Sequence, residues 1–393
     1  MLAGLAAASV SLTLYFLDWP LSPIELGLYD ANLRWFWVET SPPHEIVIVA
    51  IDTPSLKALG PFPWPRKHHA AVIERVARGA AKAIGVDVGF FEPDGDDPRN
   101  DELLTQAAAD AGNVVFPMVF EEIEDAGRTR ARPVLPMARL SEVSAGYGHA
   151  HLMFDPDGVI RSAGLSLRSE DVLFWRMDVE VLREFLDLPK SAVRALRPGA
   201  IAVGSLEVPV SKPRGGDWAS KWPAFEHALA IAYAGPTGTF ERVSALDVIE
   251  GRFPGDAFRD RLVLYGATAA ELGDSYRTPV SRDHDPTPGV EIQANVIHTL
   301  LNRRFLRRVG PVPTVVLTLL GSVAVGVGRG RWRAWRGFEV PLTLLLLFGA
   351  FYLLAFNVFG YWVEVAPVLV AVVLGFAATV YRRREFFDRI GAC

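Results

Sequence analysis

The sequence predicts an α/β domain, built mainly on a parallel sheet with helices on both faces, joined to four transmembrane helices. Three observations carry this. Short apolar runs alternate with helical stretches of 10–15 residues between positions 45 and 302, the signature of parallel βαβ units. Three long apolar runs near the C-terminus, Val312–Gly328, Phe338–Tyr361 and Trp362–Tyr381, are separated or followed by arginine clusters. The N-terminal stretch Met1–Leu17 is apolar and uncharged.

Taken in order, Met1–Leu17 reads as an uncleaved anchor helix, because no small-residue cleavage site follows Leu17. Glu25–Glu39 places Leu26, Tyr29, Leu33 and Phe36 on one helical face. Glu45–Ile51 (EIVIVAI) is a strand buried on both faces. A helix over His69–Ala83, a strand over Ala83–Phe90, a helix over Asp101–Ala111 and a strand over Asn113–Val119 follow. Gly146–Phe154 and Val159–Leu167 flank Asp155-Pro156-Asp157-Gly158, whose Pro and Gly suit a type I turn, so the two runs are expected to form a hairpin. Leu173–Leu186 is expected to be helical, Ile201–Val210 an edge hairpin and Leu229–Ala234 a strand. Ser244–Glu250 reads as a short helix capped by Ser244, Arg261–Gly266 (RLVLYG) as the last buried strand, and Val290–Asn302 as a helix.

The organisation that follows is an anchor (1–17), an extracytoplasmic domain (18–310), three spans (311–381) and a short cytoplasmic tail (382–393). Half of the 393 residues are hydrophobic, and the mean hydropathy is +0.21. From Arg303 onward twelve arginines face four acids, whereas the rest of the chain is acidic. Arginines flanking apolar spans stay on the cytoplasmic side, so both termini are expected inside a bacterial inner membrane and the bulk of the chain outside it. An acidic domain excludes nucleic acid as a partner. The single cysteine, Cys393, excludes an intrachain disulfide.

Two acids end or interrupt buried strands, Asp52 after VIVAI and Asp87 inside IGVDVGF. In open α/β sheets ligands bind at the carboxyl ends of parallel strands. Asp52, Asp87, Glu92 and Asp274, with His69, therefore form the candidate ligand-binding set. The competing reading is that these acids cap loops. The acidic run Glu92–Asp101 has the wrong spacing for a calcium loop. His149 and His151 lack a third ligand at helpful spacing, so no metal site is expected. Gly266-Ala267-Thr268 has no following lysine and permits a tight turn rather than cradling a phosphate. No cofactor is implied and no nucleophile constellation is present. Ala371, Gly375 and Thr379 recur at four-residue spacing, a small-residue seam for packing within the chain or across a homodimer.

In order along the chain, IVIVAIDTPSLKALG (46–60), PWPR (63–66), AKAIGVDVGF (81–90), DPDGVIR (155–161), RLVLYGAT (261–268), TPVS (278–281) and PGVEIQANVI (288–297) resemble the type-two CHASE family of extracellular sensory domains associated with cyclases and histidine kinases. The family layout, one helix before the domain and three after it, is similar too. The resemblance implies a sensor of a bacterial receptor whose output is an adenylate or diguanylate cyclase or a kinase. Such an output would lie beyond this chain or in a partner, since only Arg382–Cys393 follows the last apolar run. The chain itself is then not an enzyme, and its partners are membrane lipid and an unknown small ligand. Two other readings stay open. One is an envelope assembly protein binding another protein or polymer, with Trp218 and Trp222 as contacts. The other is a hydrolase using Asp87 and His69.

Overall fold

A computed structural model describes residues 2–17, 21–39, 43–95, 97–125, 128–212, 225–282, 284–328 and 339–391. Trp218, Trp222 and the arginines at 329, 331, 333 and 336 lie outside them. The chain divides into two compact units, Met1–Phe36 with Leu306–Cys393, and Trp37–Phe305.

The first unit opens with α1 (Leu2–Phe16) and α2 (Leu21–Asn32), and α2 runs on into a π-helical turn at Leu33–Trp37. That turn changes the helical phase. Tyr29 and Leu33 are buried as expected, but Phe36, expected on the same face, is 56% exposed.

In the second unit a run of β-branched residues forms β1 (Ile46–Ile51), buried along its whole length. The helix α3 (Thr53–Leu59) follows, then α4 (Arg66–Arg78) and β2 (Ala83–Val86). The helix α5 (Pro98–Ala111) starts on an Asp97 cap with Pro98 in its first turn and stops at Gly112, which takes a left-handed φ of 72°. Next come β3 (Val114–Asp125), β4 (Arg128–Val134), α6 (Ala138–Val143) and β5 (Gly146–His149). The chain continues through β6 (Ser162–Ser169), β7 (Val172–Trp175) and α7 (Met177–Phe185). Then follow β8 (Val193–Arg197), β9 (Ala200–Val203), β10 (Leu206–Pro209) and β11 (Phe225–Ala230). It ends with β12 (Glu241–Ser244), α8 (Ala245–Glu250), β13 (Leu262–Ala267), the short pair β14 (Ser275–Tyr276) and β15 (Thr287–Pro288), and α9 (Gly289–Leu301).

The central sheet has the order β12-β1-β13-β2-β3-β4, with β5 also on β3. Every pairing is parallel except β3 with β4. Alternate residues feed two cores. Ile46 and Ile48 of β1 pack with α7 and α9, while Val47, Val49 and Ile51 pack with α4, α5, α6 and α8. The expected α/β class with helices on both faces is thus present.

Several local expectations are corrected. The strand expected to reach Phe90 stops at Val86, so Asp87 leaves the sheet. The turn at 155–158 forms, with Gly158 N–H donating to Asp155 O at 2.8 Å and Gly158 at φ 77°. Its flanks nevertheless part after one bridge between Met153 and Ser162. β5 joins the central sheet, and β6 joins a separate sheet of order β11-β6-β7. Turn chemistry set the reversal, and long-range partners claimed the strands. The expected helix over Leu173–Leu186 loses its first residues to β7. Ser244 precedes α8 but makes no side-chain cap; its hydroxyl donates instead to Asp52 at 3.0 Å.

The remaining helices belong to the first unit: α10 (Pro311–Gly328), α11 (Glu339–Asn357) and α12 (Ala366–Gly391). The apolar run expected from Trp362 becomes helical only at Ala366. There the Glu25 carboxylate accepts from Val365 and Ala366 N–H at 2.9 Å and from Trp362 Nε1 at 3.0 Å. Arg308 pairs with Glu364 and lies 4.5 Å from the Trp362 ring centroid. The seam at Gly375 packs inside the chain, since a Cβ there would meet Val325 at 3.4 Å and Ala7 at 3.8 Å. Among the described residues, no helix is long and apolar enough to cross a membrane.

Candidate functional site

The site grows from the carboxyl end of β2. Val86 closes the strand, and Asp87 N–H still donates to Tyr265 O at 2.7 Å. Its neighbour Gly266, on β13, has no side chain for a steric reason. A Cβ there would come within 3.0 Å of both Asp87 and Val290, so glycine lets Asp87 and α9 close on the sheet. Asp274 arrives from the loop after β13. Its backbone carbonyl accepts from Gly289 N–H at 3.0 Å, and its carboxylate lies where a Gly289 side chain would be, 2.7 and 2.8 Å from that Cβ position. Gln293 follows one turn later on α9.

Asp87, Asp274 and Gln293 share a cleft of about 280 Å³, walled by His151 and Tyr276 on the polar side and by Leu152 and Phe154 on the apolar side. Among the described residues, no lysine or arginine lines it. Burial, and next the charge of Asp274, push the Asp87 carboxyl up to about 7; a hydrogen bond from Gln293 opposes this. Burial raises Asp274 also, against a hydrogen bond from Tyr276. Tyr276 is pushed up to about 12 by burial and then by Asp274. His151 is held down to about 4 by burial and by Arg176, so its ring is neutral.

Behind the cleft lies a second polar layer. Arg176 Nε donates to Asp178 and Nη1 to His151 O. Arg176 Nη2, Asp178 Oδ1, both ring nitrogens of His149 and Gln293 Oε1 are buried without a hydrogen-bond partner among the described residues. Burial, then Arg176, holds His149 well below its ordinary value. Gln293 is only 2% exposed, and its side chain hydrogen-bonds Asp87 from within the interior.

Of the five residues singled out from the sequence, the structure brings together Asp87 and Asp274 only. Asp52 is a helix cap: its carboxylate accepts from Ser55 N at 3.0 Å, Ser55 Oγ at 2.6 Å and Ser244 Oγ at 3.0 Å. Glu92 is exposed, and its backbone carbonyl accepts from Arg66. His69 lies against the opposite face of the sheet among Phe62, Trp64 and Phe90, with Nδ1 2.9 Å from the Tyr265 hydroxyl. Burial there holds it down to about 3. Asp87 and His69 therefore do not form a pair for hydrolysis. Sequence reasoning missed Gln293, Tyr276 and Gly289. Gln293 shares its helix with Glu291, Asn295 and His298, so its polarity alone did not single it out. Among the described residues, no group of three or more His, Cys, Asp or Glu could hold a metal ion.

The cleft is therefore acceptor-rich, among the described residues no lysine or arginine lines it, and the Tyr276 hydroxyl is engaged by Asp274. It is suited to holding a ligand. No curated protein and no solved structure matches the chain. A family model described as the CHASE2 domain, a sensory domain, matches residues 5–328, most of the chain. By that match the chain belongs to the CHASE2 domain family.

Proposed function

We propose that this chain is the membrane-anchored, extracytoplasmic input module of a bacterial signalling receptor, with the Asp87–Asp274 cleft as its input site. The stimulus passes along α9 to the apolar helices and then to a cytoplasmic cyclase or kinase outside this chain. One observation carries the reading. The helix α9 begins at the cleft, with Gly289 and Gln293, and ends where His298 and Arg304 both meet Glu39. Ligand-dependent packing at one end of a rigid buried helix changes the position of the other. A ligand shifts that balance only through different affinities for two arrangements.

The anchoring part rests on the side chains of the first unit. Val312, Leu320, Leu342, Leu346 and Leu347 are all more than half exposed, an apolar surface that suits hydrocarbon. The arginine clusters favour a cytoplasmic tail.

The test uses the full-length receptor in native membranes with its output assayed. Asp87→Asn and Gln293→Ala are expected to change the response to stimulus while leaving protein level unaltered. Protease added to outer-membrane-stripped cells is expected to digest 37–305 and spare an epitope after Arg384. Wild-type responses from both variants would remove the cleft from signalling, and a digested tail would invert the topology.

A further inference from the structure

The chemistry of the cleft selects among ligands. Among the described residues, no lysine or arginine lines it beside its carboxylates, Asp87 and Asp274, and Arg176 lies behind them, paired with Asp178. Beside these carboxylates Gln293 hydrogen-bonds Asp87, and its carbonyl oxygen is buried without a hydrogen-bond partner among the described residues. The positive end of α9 is covered, since Asp274 O takes the Gly289 N–H and the Asp274 carboxylate lies over Gly289. Leu152 and Phe154 supply an apolar wall, with the Phe154 ring 5.7 Å from that of Tyr276.

An anion would meet two carboxylates here with no lining lysine or arginine among the described residues. A calcium ion takes six to eight oxygen ligands, more than two carboxylates and one amide provide. An ammonium carries three N–H donors and no acceptor. From this match we infer that the cleft binds the head of a small primary amine, its N–H groups directed at Asp87 and Asp274 and its carbon chain against Leu152 and Phe154. The inference rests on reading the cleft as the input site, and names what enters it. Charged partners on both sides make these bonds stronger than neutral ones.

The same geometry makes binding compete with a proton. Asp87 faces Asp274, Tyr276, His151 and Gln293 across the cleft, and Asp178 and Arg176 behind it. Its carboxyl takes up a proton near neutrality. An ammonium requires the ionised form, so affinity rises with pH through that region.

The experiment is calorimetric titration of the full chain in nanodiscs with n-butylammonium, 1-butanol, butyrate and calcium chloride as separate probes. Saturable binding of n-butylammonium at least about tenfold tighter than of 1-butanol is expected, a difference of one decade in affinity. Butyrate should not bind. Affinity for the amine should rise between about pH 6 and about pH 8. Asp274→Asn and Gln293→Leu should each weaken it about tenfold or more, while the exposed Glu92→Gln should not. Thermal melts of each variant separate lost binding from lost fold. Equal binding of butanol and the amine, no amine binding by the folded wild type, or calcium binding in its place would overturn the inference. Amine binding that leaves the receptor output unchanged would support the ligand class and overturn the sensor reading. An Asp87→Asn receptor with altered output but no amine binding in the wild type would do the reverse.

Discussion

Glu39 and His298, 259 positions apart, meet at 2.8 Å through Oε1 and Nε2. The Asn302 amide donates to His298 Nδ1 at 2.9 Å, which leaves the proton on Nε2 to be donated to Glu39. Arg304 joins from the same side, donating to Glu39 Oε1 at 2.6 Å and to Trp37 O at 2.7 Å. The entry of the chain into the Trp37–Phe305 unit and its exit are tied at one carboxylate.

Glu39→Ala should therefore loosen the last turn of α9 more than it harms the cleft. It strands a buried imidazole N–H, at a cost of about 1–3 kcal/mol. Hydrogen exchange of the full chain should speed up at Asn302–Phe305 and stay unchanged at Val86–Asp87. Uniform exchange across both regions would show that the tie does not hold the helix end.

The Asp87 carboxyl gives a pH dependence of definite sign. Its value is pushed up to about 7 in the folded chain by burial and by Asp274. An unfolded aspartate titrates near pH 3.9. Across that window the folded chain holds a proton that the unfolded chain has lost, so stability falls as pH rises from about 4 to about 7. The span amounts to up to about 4 kcal/mol. Asp87→Asn should remove that decline. The buried histidines slope the other way, so the difference between the two chains is the quantity to measure. A parallel pair of stability curves would place Asp87 in a solvated setting.

Asp178 is fully buried beside Arg176, which is 1% exposed. Asp178→Asn leaves a guanidinium uncompensated in the interior, at about 3–5 kcal/mol. Chemical denaturation should report the loss, and Asp178→Asn with Arg176→Met should recover part of it. A double variant no better than the single one would mean the pair is not the relevant unit.

Gly289→Ala tests how the carboxylates are held together. The added methyl would stand 2.7 and 2.8 Å from the Asp274 oxygens, but these are the far end of a side chain that can turn away. Stability should change by no more than about 1 kcal/mol, since alanine is the better helix former. With Asp274 displaced, Asp87 loses its like-charged neighbour, and NMR titration of its carboxyl carbon should show a lower midpoint. An unmoved midpoint would mean that Asp274 contributes little to it.

What could be read from the residues alone was whatever depends on neighbours in the chain. The all-apolar IVIVAI run announced a two-face-buried strand, and alternation with amphipathic helices announced a parallel sheet. Asp87 was found because it interrupts an apolar run read as a strand, and Asp274 was grouped with it at the strand ends. Position along the chain could not separate them from Asp52, which follows such a strand. That choice depends on Ser55 and Ser244, which take up the Asp52 carboxylate, and on α9, which packs over Asp87 instead. Gln293 became part of the site only through its helix lying across the sheet, more than 200 positions from Asp87. The same limit explains the hairpin at Asp155–Gly158: local turn chemistry reverses the chain, but strands choose partners by burial against the whole fold. Short-range sterics and periodicity therefore determined the elements and the class, whereas the cleft is a product of contacts between distant segments, whose energies exist only once the sheet has assembled.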